Sequence, residues 1–312
     1  MTGRHRFRRD GGTYDVTTKR KQTTAMGTSI AAGIGGAGGW QALAWAVEHA
    51  ELTGARLVLL HICPPGSPLE RMTGKPVIAQ VEVVDPPLAR AVAKARARLG
   101  GQRVALRIRS GDPAVQMAEA SAGVRLLVIG AGDQGRTVHR TLRHAHCPVV
   151  VVRPQMRPAS ASPLAGHVVV GLDGSSAART AMEFAFGYAA ERGFPLAAVH
   201  VSDVSRDDYF YDDVTLSTNF ATEPHALELL AAETEPWTLK DPAVAVRRAV
   251  LHGSVAGALI RAGAGARLLV VGDKHRGVVS RVRTGDVPLT VAAQAPCPVA
   301  VVPVNQREGE PL

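Results

Sequence analysis

Short, continuous apolar runs alternate with helical patterns along most of the chain. In the second half a strand is expected at 167–172, a helix from about 176 to 191, and further strands at 196–201, 243–250, 267–272 and 298–302. Helices precede the last three of these strands. Runs that are apolar throughout, rather than at every second position, mark strands buried on both faces. That pattern predicts a parallel sheet joined by right-handed crossovers, with helices on both sides.

The pattern occurs twice. "RLLVIG" (125–130) returns as "RLLVVG" (267–272), "LVLLHI" (57–62) as "LAAVHV" (196–201), and "AHCPVVVV" (145–152) as "APCPVAVV" (295–302). Three segments recurring in one order at offsets of 142, 139 and 150 residues make the chain two copies of one domain. The Pro- and Ser-containing stretch "PQMRPASASPLAG" (154–166) separates them as an extended linker. The expected organisation is a basic tail (1–26), a first domain (27–154), a linker (155–165), a second domain (166–304) and a polar tail (305–312). Each domain is read as a five-stranded, doubly wound, Rossmann-like α/β unit.

Composition supports this class and narrows the function. Hydrophobic residues make up 46% of the chain but aromatic ones only 4%, which suits parallel strands under Ala-rich helices. The formal charge of +9 is uneven, because residues 1–26 carry seven basic side chains against Asp10 and Asp15, a balance of +5. The rest of the chain carries +4, so nucleic acid is not an expected partner. The tail itself reads as disordered, and Met26 stands as an alternative start. Cys63, Cys147 and Cys297 lie far apart and form no C-x-x-C pair, which points to a reducing compartment and hence the cytoplasm. The uncharged run 29–47 is broken by five glycines, a poor membrane span.

In a doubly wound sheet the ligand site lies beyond the carboxyl ends of the strands, where the winding reverses. Reversal after the third strand sets strands one and four side by side. Their ends carry "GLDGSS" (171–176) and "VVGDKHRG" (270–277), the two stretches most like ligand loops. The sequence alone leaves other strand orders open.

The series V-V-V-G-x-D-G-S, V-H-V, L-L-V-V-G and A-x-C-P-V resembles the universal stress protein family in tandem form. The resemblance covers about 27–154 and 166–304 and implies strand order 3-2-1-4-5 in each domain. The offset of 138 residues from Gly33 to Gly171 makes 29–47 a strand, turn and helix. Family members that bind ATP set adenosine against an Asp after strand one and a residue ending strand two. They hold the phosphates on spaced glycines followed by Ser or Thr. The resemblance therefore implies nucleotide contacts at Asp173, Val201, Gly272, Gly285 and Val287, with ATP or another adenine nucleotide as cofactor and Mg2+ as a companion ion. It also implies pairing of the two domains through strands near 149–152 and 299–302, and it allows a homodimer.

The second copy departs from the family at His275, where Gly is expected, and at Asp286, where Ser or Thr is expected. A carboxylate facing a terminal phosphate repels it unless a divalent ion bridges the two. The plainer reading of Asp286 is a helix cap, with Pro288 in the first turn. Lys274, Arg276, Arg281 and Arg283 keep the loop basic, as a solvated loop or as an attractor of anions. In the first copy Gly35 replaces the Asp, and the loop from Gly130 to Gly135 is eight residues shorter than from Gly272 to Gly285. No ATP binding of the family kind is expected there, and Asp112 and Pro113 read as a cap and first turn.

His61 and His200, which end matching strands, read as structural, as do Cys147 and Cys297 beside proline. No metal-ligand cluster is evident, and no enzyme is expected. The acidic stretch 202–241, with Tyr209, Phe210 and Tyr211, reads as a solvated loop and helix or, more sharply, as a lid or partner-binding segment. Two functions remain open: a stress-response protein binding an adenine nucleotide in its second domain only, and a nucleotide-independent interaction protein with both sites degenerate.

Overall fold

A computed structural model describes residues 29–36, 38–132, 135–153, 162–202, 224–274 and 286–304. The basic tail, most of the linker, the segment 203–223 with its tyrosines, and the loop 275–285 with His275 and Gly285 lie outside the described residues. The first half runs β1 (Ser29–Ile34), α1 (Gly39–Thr53), β2 (Arg56–Cys63), a 3-10 turn (Pro68–Met72), α2 (Ile78–Val84), α3 (Pro86–Leu99), β3 (Val104–Ser110), α4 (Pro113–Ser121), β4 (Leu126–Gly130), α5 (Arg136–His144) and β5 (Val149–Val152). The second runs β6 (Val168–Gly171), α6 (Ser176–Ala190), β7 (Leu196–Ser202), α7 (Pro224–Lys240), β8 (Val246–His252), α8 (Val255–Ala262), β9 (Leu268–Asp273), α9 (Val287–Gln294) and β10 (Val299–Pro303).

One ten-stranded sheet results, in the order β3-β2-β1-β4-β5-β10-β9-β6-β7-β8. Read from either outer edge inward, each half is 3-2-1-4-5. All neighbours are parallel except β5 and β10, which pair antiparallel with Val149 opposite Val301 and Val151 opposite Val299. The edge chemistry follows from this order. The outer strands β3 and β8 carry Arg107, Arg109, Arg247 and Arg248, charges that discourage further pairing. The inner strands are fully buried runs, "VVVV" and "VAVVP", which need a partner on every side.

Alternate residues of these strands feed two cores, one on each face of the sheet. Val150, Val152, Val168, Val170 and Ala300 pack with α1, α3, α6 and α7. Val149, Val151, Val169, Val299 and Val301 pack with α5, α8 and α9. Each core contains residues of both halves, so the seam is covered on both faces. Small side chains such as Ala42, Ala46, Ala181 and Ala185 let the helices lie close to the sheet. No helix among the described residues is long and apolar enough to cross a membrane.

Side chains also bridge the seam. Trp45 of α1 stacks at 6.2 Å on Tyr188 of α6, with 9° between the planes, and the Arg192 guanidinium lies 3.7 Å above the Tyr188 ring. Arg192 donates to Nδ1 of His49, Arg125 pairs with Glu191 at 4.0 Å, and Arg153 donates to the Ala292 carbonyl at 3.2 Å. A guanidinium only donates, so His49 Nδ1 must be bare and the neutral ring carries its proton on Nε2. Burial, then the charges of Arg192 and Arg125, push the His49 pKa down to about 3.

In the unfolded chain His49 gains a proton below its ordinary value of 6.5, whereas in the fold it stays neutral until about 3. Its contribution to stability is therefore complete above pH 6.5 and is lost as pH falls across that window. Between pH 7 and 5 the loss is about 2 kcal/mol. His49→Gln, which keeps an acceptor for Arg192, should remove that part of the pH slope in urea unfolding. An unchanged slope would exclude His49 as its source.

Candidate functional site

β6 and β9 are neighbours, in register from Val168 opposite Leu268 to Val170 opposite Val270. Their carboxyl ends lie side by side, with β7 on the far side of β6. Just past β6 the chain turns through Asp173 and Gly174, the latter at φ 75°, into Ser175, which caps α6 by accepting from the Ala178 N–H at 3.2 Å. Asp173 Oδ1 accepts from the Ser175 N–H at 3.0 Å, and Oδ2 meets Lys274 Nζ at 3.2 Å. Burial alone would raise the Asp173 pKa. The hydrogen bonds from Ser175 and the Lys274 ammonium outweigh it and hold the carboxyl below its ordinary range. Arg179 braces the turn, donating to the Gly174 carbonyl at 3.0 Å and to Glu233 of α7 at 3.0 Å.

Of the residues expected at the site, Asp173 lies just past β6, against Lys274 just past β9. Val201 is the penultimate residue of β7, opposite Leu251 and half-buried, and Gly272 is the penultimate residue of β9. Val287 opens α9, beyond the loop that holds Gly285. Gly272 has a reason to be glycine apart from any ligand. A β-carbon there would overlap the Ala177 carbonyl at the start of α6, so close packing of helix on strand requires its absence. At α9 the donors that a phosphate would use are largely committed. Pro288 has no N–H, and the Asp286 carboxylate accepts from the Leu289 N–H at 3.4 Å while its carbonyl takes Thr290 Oγ1 at 2.9 Å.

The first half keeps the frame and replaces the chemistry. Gly35 stands in the place of Asp173 at φ 101°, and a β-carbon on it would come within 3.0 Å of His61 Nδ1. Gly130 repeats the packing of Gly272, since a β-carbon there would overlap the Gly38 carbonyl. Asp112 caps α4 through the Ala114 and Val115 N–H groups at 2.9 and 3.1 Å.

Other reactive side chains serve the scaffold. His200 Nδ1 bonds the Leu172 carbonyl at 2.8 Å, tying strand two to strand one. Burial lowers the pKa of His61 and pushes the Cys147 and Cys297 thiols up to about 12, leaving them protonated and poor nucleophiles. Among the described residues no group of three or more His, Cys, Asp or Glu side chains forms a metal cage. The sequence reading placed Lys274 in a basic loop and overlooked its partner. The pairing with Asp173 spans 101 residues and becomes visible only once strands one and four are set side by side.

The same frame is found in known proteins. The model of the universal stress protein family matches residues 27–153 and again 165–303. Universal stress protein Rv2623 of Mycobacterium tuberculosis is 32% identical over 276 residues, covering 83% of this chain and 91% of that protein. A universal stress protein of Mycolicibacterium smegmatis is 30% identical over 281 residues, covering 84% of this chain and 92% of that protein. The crystal structure of a universal stress protein from Archaeoglobus fulgidus shares the fold over 91% of this chain and 99% of that one, with a TM-score of 0.60 at 16% identity. With a match in each half and relatives aligned through both, the chain belongs to the universal stress protein family in its tandem form.

Proposed function

We propose that this protein acts in a stress response by binding an adenine nucleotide in its second half only, through the adenosine end, without catalysing a reaction. Asp173 meets the ribose hydroxyls and Val201 the base. Gly272, Gly285 and Val287 line the phosphate side, where the part played by Gly285 rests on family resemblance alone. The observation that carries the reading is the Asp173 carboxylate, held ionised by Ser175 and Lys274 at the strand-one and strand-four ends. An ionised carboxylate is a strong acceptor for vicinal hydroxyls. Gly35 offers nothing equivalent in the first half. The phosphate side fits less well. Pro288 and the Leu289 N–H taken by Asp286 leave the α9 terminus few donors, and Asp286 adds a negative charge. At about 4 Å with partial screening, that charge opposes a terminal phosphate by a few kcal/mol. A Mg2+ ion shared between the two would reverse the sign.

No reaction belongs to this reading. The Cys147 and Cys297 thiols are protonated, and the Asp173 and Asp286 carboxylates are engaged by Lys274 and the α9 backbone. Cytoplasmic residence belongs to the same proposal. The competing reading, an interaction protein independent of nucleotide, draws on one specific observation, the use of Asp286 as a cap.

Calorimetric titration separates the two. AMP should bind, and ATP without Mg2+ should bind at least about tenfold more weakly; Asp286→Ser should narrow that gap and Asp173→Ala abolish AMP binding. If none of AMP, ADP or ATP binds below millimolar concentration, the nucleotide reading is lost. If Asp286→Ser leaves ATP unchanged, the repulsion is not the cause. Lys274→Ala should move the Asp173 pKa upward toward the ordinary carboxylate range in an NMR titration; no movement would show that Ser175 alone holds it down.

A further inference from the structure

A cleft of about 510 Å3 opens between the two halves, on the α1 and α6 side of the seam and away from the Asp173 site. Its size is that of a small-molecule pocket. Trp45, Tyr188 and Phe194 give it aromatic walls, and Arg192, Arg267 and His49 give it polar ones. Both halves contribute, so the site exists only in the assembled tandem chain.

Among the described residues one cation of the lining has no carboxylate partner. His49 is buried and its Nδ1 is taken by Arg192, so its proton is on Nε2. That Nε2 makes no hydrogen bond in the structure, and it is sealed from solvent, out of reach of a ligand in the cleft. The Arg192 side chain is only 3% exposed, lies on the Tyr188 ring and is paired with Glu191 at 3.5 Å. The Arg267 guanidinium lies 5.0 Å from the Phe194 ring, with no carboxylate partner among the described residues. Against these two arginines the lining holds one carboxylate, Glu48. Hydrogen-bond donors and positive charge facing aromatic walls select an acceptor-bearing, anionic, flat molecule.

We propose that this inter-half cleft is a second ligand site, which takes a small planar aromatic carboxylate. The carboxylate pairs with Arg267, and the ring lies against Trp45, Tyr188 and Phe194. Cys297 also lines the cleft but takes no part, because burial keeps its thiol protonated.

The test uses the full-length protein with 1-naphthoate and its uncharged analogue 1-naphthamide as calorimetric probes. Naphthoate should bind at least about tenfold tighter than the amide, a comparison that needs no variant. Arg267→Gln, at an exposed position, should weaken naphthoate at least about tenfold while the urea unfolding midpoint stays within error of the parent. Trp45→Ala should weaken acid and amide alike, by several-fold. No naphthoate binding below millimolar concentration, equal binding of acid and amide, or full affinity in Arg267→Gln would each overturn the assignment.

Discussion

Near the end of strand four its main chain passes so close to the start of the first helix that no side chain fits between them. At Gly272 the obstacle is the Ala177 carbonyl and at Gly130 the Gly38 carbonyl. This approach fixes the start of α1 and of α6 on the sheet, and through them the position of the strand-one turn. Asp173 and Lys274 can pair across the strand ends because that contact holds strand one, its turn and strand four at one spacing. The contact also separates two roles that one glycine appears to combine. The first half has lost the carboxylate and much of the loop, yet keeps Gly130, which packing alone explains.

Much of the fold was legible because it is local. Buried parallel strands announce themselves as "VVVV" or "RLLVVG" without any tertiary knowledge, and caps such as Asp112 before Pro113 and Asp286 before Pro288 need only a few neighbouring residues. The repeat added what periodicity could not, since it turned the glycine-rich 29–47 into a strand, turn and helix. The strand order came from family resemblance, as run length and burial say nothing of which strand lies beside which.

The contacts that join distant parts were not legible. Arg192 and His49 are 143 residues apart, and the position matching His49 in the second half is Gly187, so the repeat gives no hint of the pair. Trp45 and Tyr188 likewise occupy unmatched positions of the two first helices. The halves differ in the helix side chains that meet across the seam and at the turn after strand one, where Gly35 matches Asp173. Those are the surfaces on which two identical copies would be forced into identical chemistry. The buried valines, the close-packed glycines, the paired histidines His61 and His200 and the paired cysteines Cys147 and Cys297 remain alike.

The claim that the strand-four glycine is kept for packing is tested most directly by urea unfolding of Gly130→Ala beside Gly272→Ala. Both should lose stability by about 1–3 kcal/mol, as overpacked sites do, although only one of them borders a candidate ligand site. A Gly130→Ala protein as stable as its parent would contradict the account and return the glycine to a role in binding.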